Sequence, residues 1–218
     1  MKTKYFHDTK IHNLDSPNSV VPIIYDMFKP KSVVDFGCGL GTWIKVFKDF
    51  GVEKVLGLDG KWVNKKKIES SVLEFFKESD LETEIVLEEK FDLAISLEVA
   101  EHLKKDSAEN FVGNLVRSSD TIIFSAAIPF QGGQNHLNEQ PLSYWVDLFD
   151  KHGFKFYDIL RGRIWDLRNV FWWYKQNMVV FSRKNIEIKQ IFPIDIVHPE
   201  LLKQYVNSPY NIKKYFKN

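Results

Sequence analysis

The sequence predicts an α/β protein with a doubly wound, mostly parallel sheet of seven strands and an antiparallel edge strand. Three observations carry that expectation. Short apolar runs of strand length alternate with stretches that are apolar at helical spacing, the pattern of a parallel sheet covered on both faces. A glycine-rich turn, "DFGCGLG" (35–41), falls between the first such run and the helical pattern behind it. The last two strand-like runs, near 154–160 and 177–183, have only a short connection between them, which suits an antiparallel pair at the sheet edge.

Taken in order, residues 1–18 are polar with few periodic apolars and read as an arm that closes over a site. "SVVPIIYDMF" (19–28) is apolar at helical spacing, Pro30 ends that helix, and "SVVDF" (32–36) is a short buried strand. A helix is expected over 41–50, a strand over 54–59 ("KVLGLD"), a weak helix over 62–69 and a strand near 72–77. A strand at 91–97 ("FDLAISL"), a helix at 107–117, a strand at 121–127 ("TIIFSAA") and a helix at 141–152 follow. The tail from 193 reads as a loop with a short peripheral helix. With no repeat or linker, 1–218 is expected to form a single domain.

Composition narrows the functional classes. Thirty basic residues against 29 acidic ones give a net charge of +1, which points away from a nucleic-acid or membrane surface. The single cysteine, Cys38, excludes an internal disulfide and fits a reducing compartment. No apolar run reaches the ~20 residues of a transmembrane helix, and the start, "MKTKYFHDTK", lacks the apolar core of a signal peptide. A cytoplasmic protein without membrane insertion is expected. Aromatic content is high at 15%, mostly core material, though the cluster "IWDLRNVFWWY" (164–174) could line a pocket.

The glycine turn departs from the dinucleotide fingerprint. Counting from Gly37, glycine stands at the first, third and fifth positions (Gly37, Gly39, Gly41), and the sixth is Thr42. Asp35 is delivered to the turn by the strand. A carboxylate there is a poor neighbour for a pyrophosphate and a good one for a ligand carrying an ammonium and a sulfonium. Asp59, ending the second strand, is placed to accept from both hydroxyls of a ribose.

With these residues, "DFGCGLG" resembles the first motif of class I S-adenosylmethionine (SAM) methyltransferases, and "LGLDG" with Asp59 and Gly60 resembles their second. "ESDL" (78–81) is similar to the loop whose acidic residue holds the adenine amino group, which implies Asp80 beside Leu81. "FDLAISLEVAEHL" (91–103) is similar to their fourth-strand motif, whose end, at Leu97, borders the ligand. The resemblance spans roughly residues 20–185 and implies a Rossmann-like methyltransferase fold with SAM as cofactor.

Two stretches could serve the methyl acceptor. Glu98, Glu101 and His102 lie just beyond the fourth strand, and "AAIPFQGGQNHLNEQPLSYW" (126–145) is a long polar loop after the fifth. Both lie at the carboxyl ends of strands, where ligands bind in such sheets. Glu98, Glu101, His102 and His136 could form a divalent-cation site for Mn²⁺, Fe²⁺, Zn²⁺ or, less cleanly, Mg²⁺. This pattern resembles metal-dependent O-methyltransferases of quinone synthesis and of small-RNA 2′-O-methylation. His136 could instead be the general base, with Glu98 beside it, and Glu101 and His102 could simply open a helix. His7, His12, His152 and His198 read as surface or packing residues.

The acceptor loop and "IWDLRNVFWWYKQN" (164–177) also resemble a bacterial subgroup of surface-glycan and capsule pathways. That resemblance implies a small-molecule or glycan-linked acceptor, a sugar hydroxyl or phosphate-type group. Arg161, Arg163 and Arg168 near Trp165, Trp172 and Trp173 would suit it, or would form a solvated edge. A metal-dependent RNA 2′-O-methyltransferase and a non-catalytic SAM-binding subunit are the competing readings.

Overall fold

The computed structural model describes residues 5–187 and 195–206. The predicted segment 193–194 and the end of the tail, 207–218, lie outside the described residues. Seven strands form one sheet in the order β3-β2-β1-β4-β5-β7-β6. They are β1 (Ser32–Phe36), β2 (Lys54–Asp59), β3 (Phe76–Glu78), β4 (Leu93–Leu97), β5 (Thr121–Ser125), β6 (Lys155–Tyr157) and β7 (Val179–Ser182). β1 pairs in parallel with β2 and β4, and β5 extends the parallel run from β4. β7 runs antiparallel to both β5 and β6, so the reversed strand sits one place in from the edge.

Helices α1 (Asp15–Phe28) and α2 (Thr42–Asp49) cover one face, where Val20, Ile24, Ile44 and Phe47 meet Val33, Leu93 and Ile95 of the sheet. α3 (Ala108–Ser118) and α4 (Leu142–Asp150) cover the other, with Phe111, Leu115, Trp145 and Phe149 against Val34, Ala94, Ile122 and Phe124. Burying both faces makes β4 and β5 continuous apolar runs rather than alternating ones. Much of the aromatic content is spent here: Phe149 stacks on Phe181 at 3.9 Å, with Phe124 edge-on to both.

Four segments differ from the sequence expectation. The weak helix expected over 62–69 is a single 3-10 turn, Lys65–Lys67, opened by Asn64 Oδ1 accepting from the Lys66 amide. α1 begins at Asp15, four residues earlier than its apolar period, because Asn13 Oδ1 accepts from the Asp15 amide and fixes the entry of the chain. Residues 70–75 form 3-10 turns and β3 starts only at Phe76. The connection between β6 and β7 is helical, holding α5 (Arg161–Ile164) and α6 (Trp172–Asn177). A last helix, α7 (Pro199–Val206), follows in the tail. Among the described residues no helix is long and apolar enough to cross a membrane.

Candidate functional site

The strand order reverses between β1 and β4, and at the carboxyl ends of these strands lies a cavity of about 970 Å³. Its donor half is built by the glycine turn. Gly37, Gly39 and Gly41 have φ of +91°, +54° and +77°, conformations that other residues rarely adopt. A Cβ on Gly37 would lie 2.3 Å from Val99 Cγ2, so this glycine lets the turn pack against the chain after β4. Asp35, Gly37, Gly39, Asp59, Asp80, Leu81 and Leu97 all line the cavity. Gly41 and Gly60 do not: Gly41 leaves room for Val72, and Gly60 lies under the Trp62 ring. The Gly60 amide still donates to Asp59 Oδ1 at 2.6 Å, while the Gly39 amide donates to Oδ2 at 2.8 Å.

Burial dominates the electrostatics here. It raises Asp59 to about 6, although the Gly39 and Gly60 amides and the Trp62 indole pull it back. Asp35, 2% exposed, is raised well above the carboxylate range by burial and then by the Asp59 charge. Two buried carboxylates facing one cavity call for a cationic ligand.

In the acceptor half the chain leaves β4 with Glu98 in a left-handed conformation, φ +56°, its amide donating to Ser125. Such strain in a non-glycine residue persists only where its surroundings hold it. Here Gln131 Nε2 donates to Glu98 Oε2 at 2.8 Å and Asn177 Nδ2 to Oε1 at 3.0 Å. Burial pushes Glu98 up to about 7.

Glu101, His102 and His136 converge, each offering one ligand atom, with these atoms all within 4.8 Å of one another. Glu98 is not in this group, its two oxygens being taken by amides. Glu101 is 1% exposed, and neither of its carboxylate oxygens has a hydrogen-bond partner. Burial and the Glu98 charge raise its pKa well above normal; the nearby amides of Glu101 and Ala127 lower it but complete no hydrogen bond. His102 Nδ1 is likewise buried without a partner, and burial, with His136, lowers its pKa to about 4. A neutral imidazole and an unsatisfied carboxylate suit a divalent cation. His136 Nδ1 lies 2.8 Å from Glu139 Oε1, the kind of partner that fixes the orientation of a ligating or basic imidazole. Glu139 also accepts from the Phe130 and Gly132 amides, and the Leu137 and Asn138 amides donate to the Glu101 carbonyl. The acceptor loop is thus tied down around His136.

The described part of the arm, from Tyr5, supplies a wall of the cavity, as its polar sequence suggested, though the side chains that do so were not foreseen. Tyr5, His7 and His12 line the cavity, which corrects their reading as surface or packing histidines for His7 and His12. Tyr5 lies edge-on to His102 at 4.9 Å, and its hydroxyl is 3.3 Å from His12 Nε2. Trp172 and Trp173 line the opposite wall, as the aromatic cluster suggested, whereas Trp165 packs against His198 at 4.4 Å. The arginines do not take part. Arg161 is buried in a two-point ion pair with Asp158, and Arg163 and Arg168 are exposed outside the cavity wall.

Comparison with known proteins bears on the fold. Residues 19–119 match the family model described as a methyltransferase domain. No curated protein matches the chain. The methyltransferase domain of bacterial CtHen1-C superposes with a TM-score of 0.54 at 22% identity, over 78% of this chain and 98% of that one. YcgJ of Bacillus subtilis gives 0.54 at 18% identity, over 65% and 70%. Human N-acetylserotonin methyltransferase in complex with SAM gives 0.53 at 14%, over 78% and 52%. At these identities the likeness is one of fold.

Proposed function

From the match of residues 19–119 to a methyltransferase domain, we propose that the chain is a class I SAM-dependent methyltransferase and that it methylates a neutral hydroxyl of a small polar acceptor. The acceptor class proposed is a sugar, in line with the resemblance of its acceptor loop to a surface-glycan subgroup. The observation that carries the reading is the Glu101–His102–His136 cluster, which opens into the same cavity as the glycine turn. Among the described residues the cavity wall contains no lysine or arginine, which favours an uncharged hydroxyl over a phosphate-type group. Trp172 and Trp173 offer flat apolar faces for a sugar ring.

Asp59 would hold the ribose of SAM, Asp80 and Leu81 its adenine, and Asp35 its charged end. Glu101, His102 and His136 would hold a divalent cation, which when bound would supply Lewis acidity that lowers the pKa of the acceptor hydroxyl. Glu98 takes the proton, its carboxylate oriented by Gln131 and Asn177 and poised near neutrality by burial. The acceptor oxygen gains the methyl group as the C–S bond breaks, leaving neutral S-adenosylhomocysteine (SAH).

The test uses protein purified without chelator, incubated with SAM and a panel of free sugars and nucleotide- or lipid-linked sugar precursors, with methylated product read by mass spectrometry. Metal is expected by elemental analysis. Chelation should reduce turnover on the order of 10²-fold or more, with Mn²⁺ or a similar ion restoring it. Full activity without bound metal would instead make His136, oriented by Glu139, the base.

SAM binding should also depend on pH. A cationic ligand favours the ionised form of a carboxylate whose free pKa is about 6, so affinity rises with pH through that value. Calorimetry should show SAM binding about tenfold weaker at pH 5 than at pH 7, and Asp59→Asn should flatten the profile. A flat profile in the parent protein would remove Asp59 from the ligand.

A further inference from the structure

We propose that His7, on the arm, holds the carboxylate of the methionine portion of SAM. The inference rests on the SAM reading above and adds a binding residue to it. SAM brings three charges to the glycine turn: a sulfonium and an ammonium, which Asp35 can face, and a carboxylate, which Asp35 repels. The carboxylate needs a donor, and the turn offers few. The Gly39 amide is already spent on Asp59 Oδ2 at 2.8 Å. Among the described residues no lysine or arginine lines the cavity. Lys67, whose charge is felt at His7, has its ammonium over the Phe6 ring at 4.7 Å and is not part of the wall. Thr42 offers one uncharged hydroxyl.

His7 is different. It is 8% exposed, and both its Cδ2 and Nε2 lie 3.1 Å from where a Cβ on Gly39 would stand, so the imidazole rests directly on the turn. Its neighbours in the arm are the rings of Tyr5 at 4.9 Å and His12 at 4.8 Å. Among the described residues its ring nitrogens make no hydrogen bond to the protein. An imidazole that faces the cavity, bonded through its ring nitrogens to no described residue and set against a glycine turn, can donate to a carboxylate arriving there. His12, whose Nδ1 stands 3.8 Å from the same point, has its Nε2 engaged with the Tyr5 hydroxyl.

The test compares two ligands of the intact chain by calorimetry: SAH, and 5′-methylthioadenosine, which keeps the adenosine and thioether but lacks the amino-acid end. His7→Ala should weaken SAH by about 10- to 100-fold, the loss of a charge-assisted hydrogen bond, and leave methylthioadenosine unchanged. His7→Gln, which keeps an N–H, should recover part of the SAH affinity, and Lys67→Ala should behave as the parent. Unchanged SAH affinity in His7→Ala overturns the assignment. So does an equal loss for both ligands, which would make the arm merely a packing element, or a selective loss in Lys67→Ala. A parent protein that binds neither ligand removes the SAM reading itself, a different result from any of these.

Discussion

Replacing Asp158 by alanine is expected to lower the unfolding free energy by about 3 to 5 kcal/mol, measured as a shift of the denaturant midpoint at unchanged slope. The reason lies in Arg161, which is 1% exposed and therefore cannot turn to water when its partner is lost. Its Nε and Nη2 donate to the two Asp158 oxygens at 2.9 and 2.7 Å, and Nη1 reaches the Gln176 carbonyl at 3.4 Å. Truncating the carboxylate removes the counter-charge that meets this buried cation at two points; removing both partners in Asp158→Leu with Arg161→Met should recover most of the loss. The pair also anchors the helices that carry Asn177 to Glu98. A single-variant loss below about 1 kcal/mol would show that the guanidinium finds another way to satisfy its charge.

Glu101→Gln should have opposite effects on activity and on stability. The amide cannot serve as an anionic ligand, so metal affinity and turnover should fall as far as they do on chelation. With chelator present, by contrast, the variant should be more stable than the parent at pH 7. The sign follows from the raised pKa of Glu101. A carboxyl held protonated in the fold but ionised when unfolded costs stability at pH values above its unfolded pKa. That cost fades as pH falls toward the normal carboxylate range, so parent and variant should converge near pH 4, and thermal melts across that window would show it. A variant less stable than the chelated parent at pH 7 would mean that the carboxylate is satisfied in a way that its two unpartnered oxygens do not indicate. Buried carboxylates of this sort are a common place where stability yields to function.

How far the sequence could be read depended on the range of the interaction involved. β1, β2, β4 and β5, with the turn between β1 and α2, are written in local period and in glycine spacing; Asp35 and Asp59 follow from their places at strand ends, and Asp80 came only from the resemblance of the loop after β3. Where several weak local signals competed, the reading slipped. "SVLEF" is as apolar as a short strand, but the Glu69 amide donates to the Leu40 carbonyl and the Val72 amide to that of Glu69, and the segment curls into 3-10 turns. The cavity roof was harder still. Tyr5, His7 and His12 meet the turn and His102 through ring contacts some 30 to 95 residues away along the chain, and no spacing encodes those. Arg161 misled for a related reason: three arginines among tryptophans look like an anion site until Asp158, three residues upstream, claims one of them. Asn177, which steadies Glu98 from the end of α6, carried no local signal at all.

The one-sided charge of the cavity bears on product release. On the proposed reading, methyl transfer turns a sulfonium into a neutral thioether and so removes a positive charge from beside Asp35 and Asp59, which line the donor half of the cavity. Before transfer that charge favours their ionised forms; afterwards burial and their mutual repulsion act without it. Discrimination between substrate and spent cofactor is thus electrostatic, since the two molecules have nearly the same shape. Inhibition by accumulating SAH should therefore be mild relative to the affinity for SAM, which calorimetry of the two ligands would show.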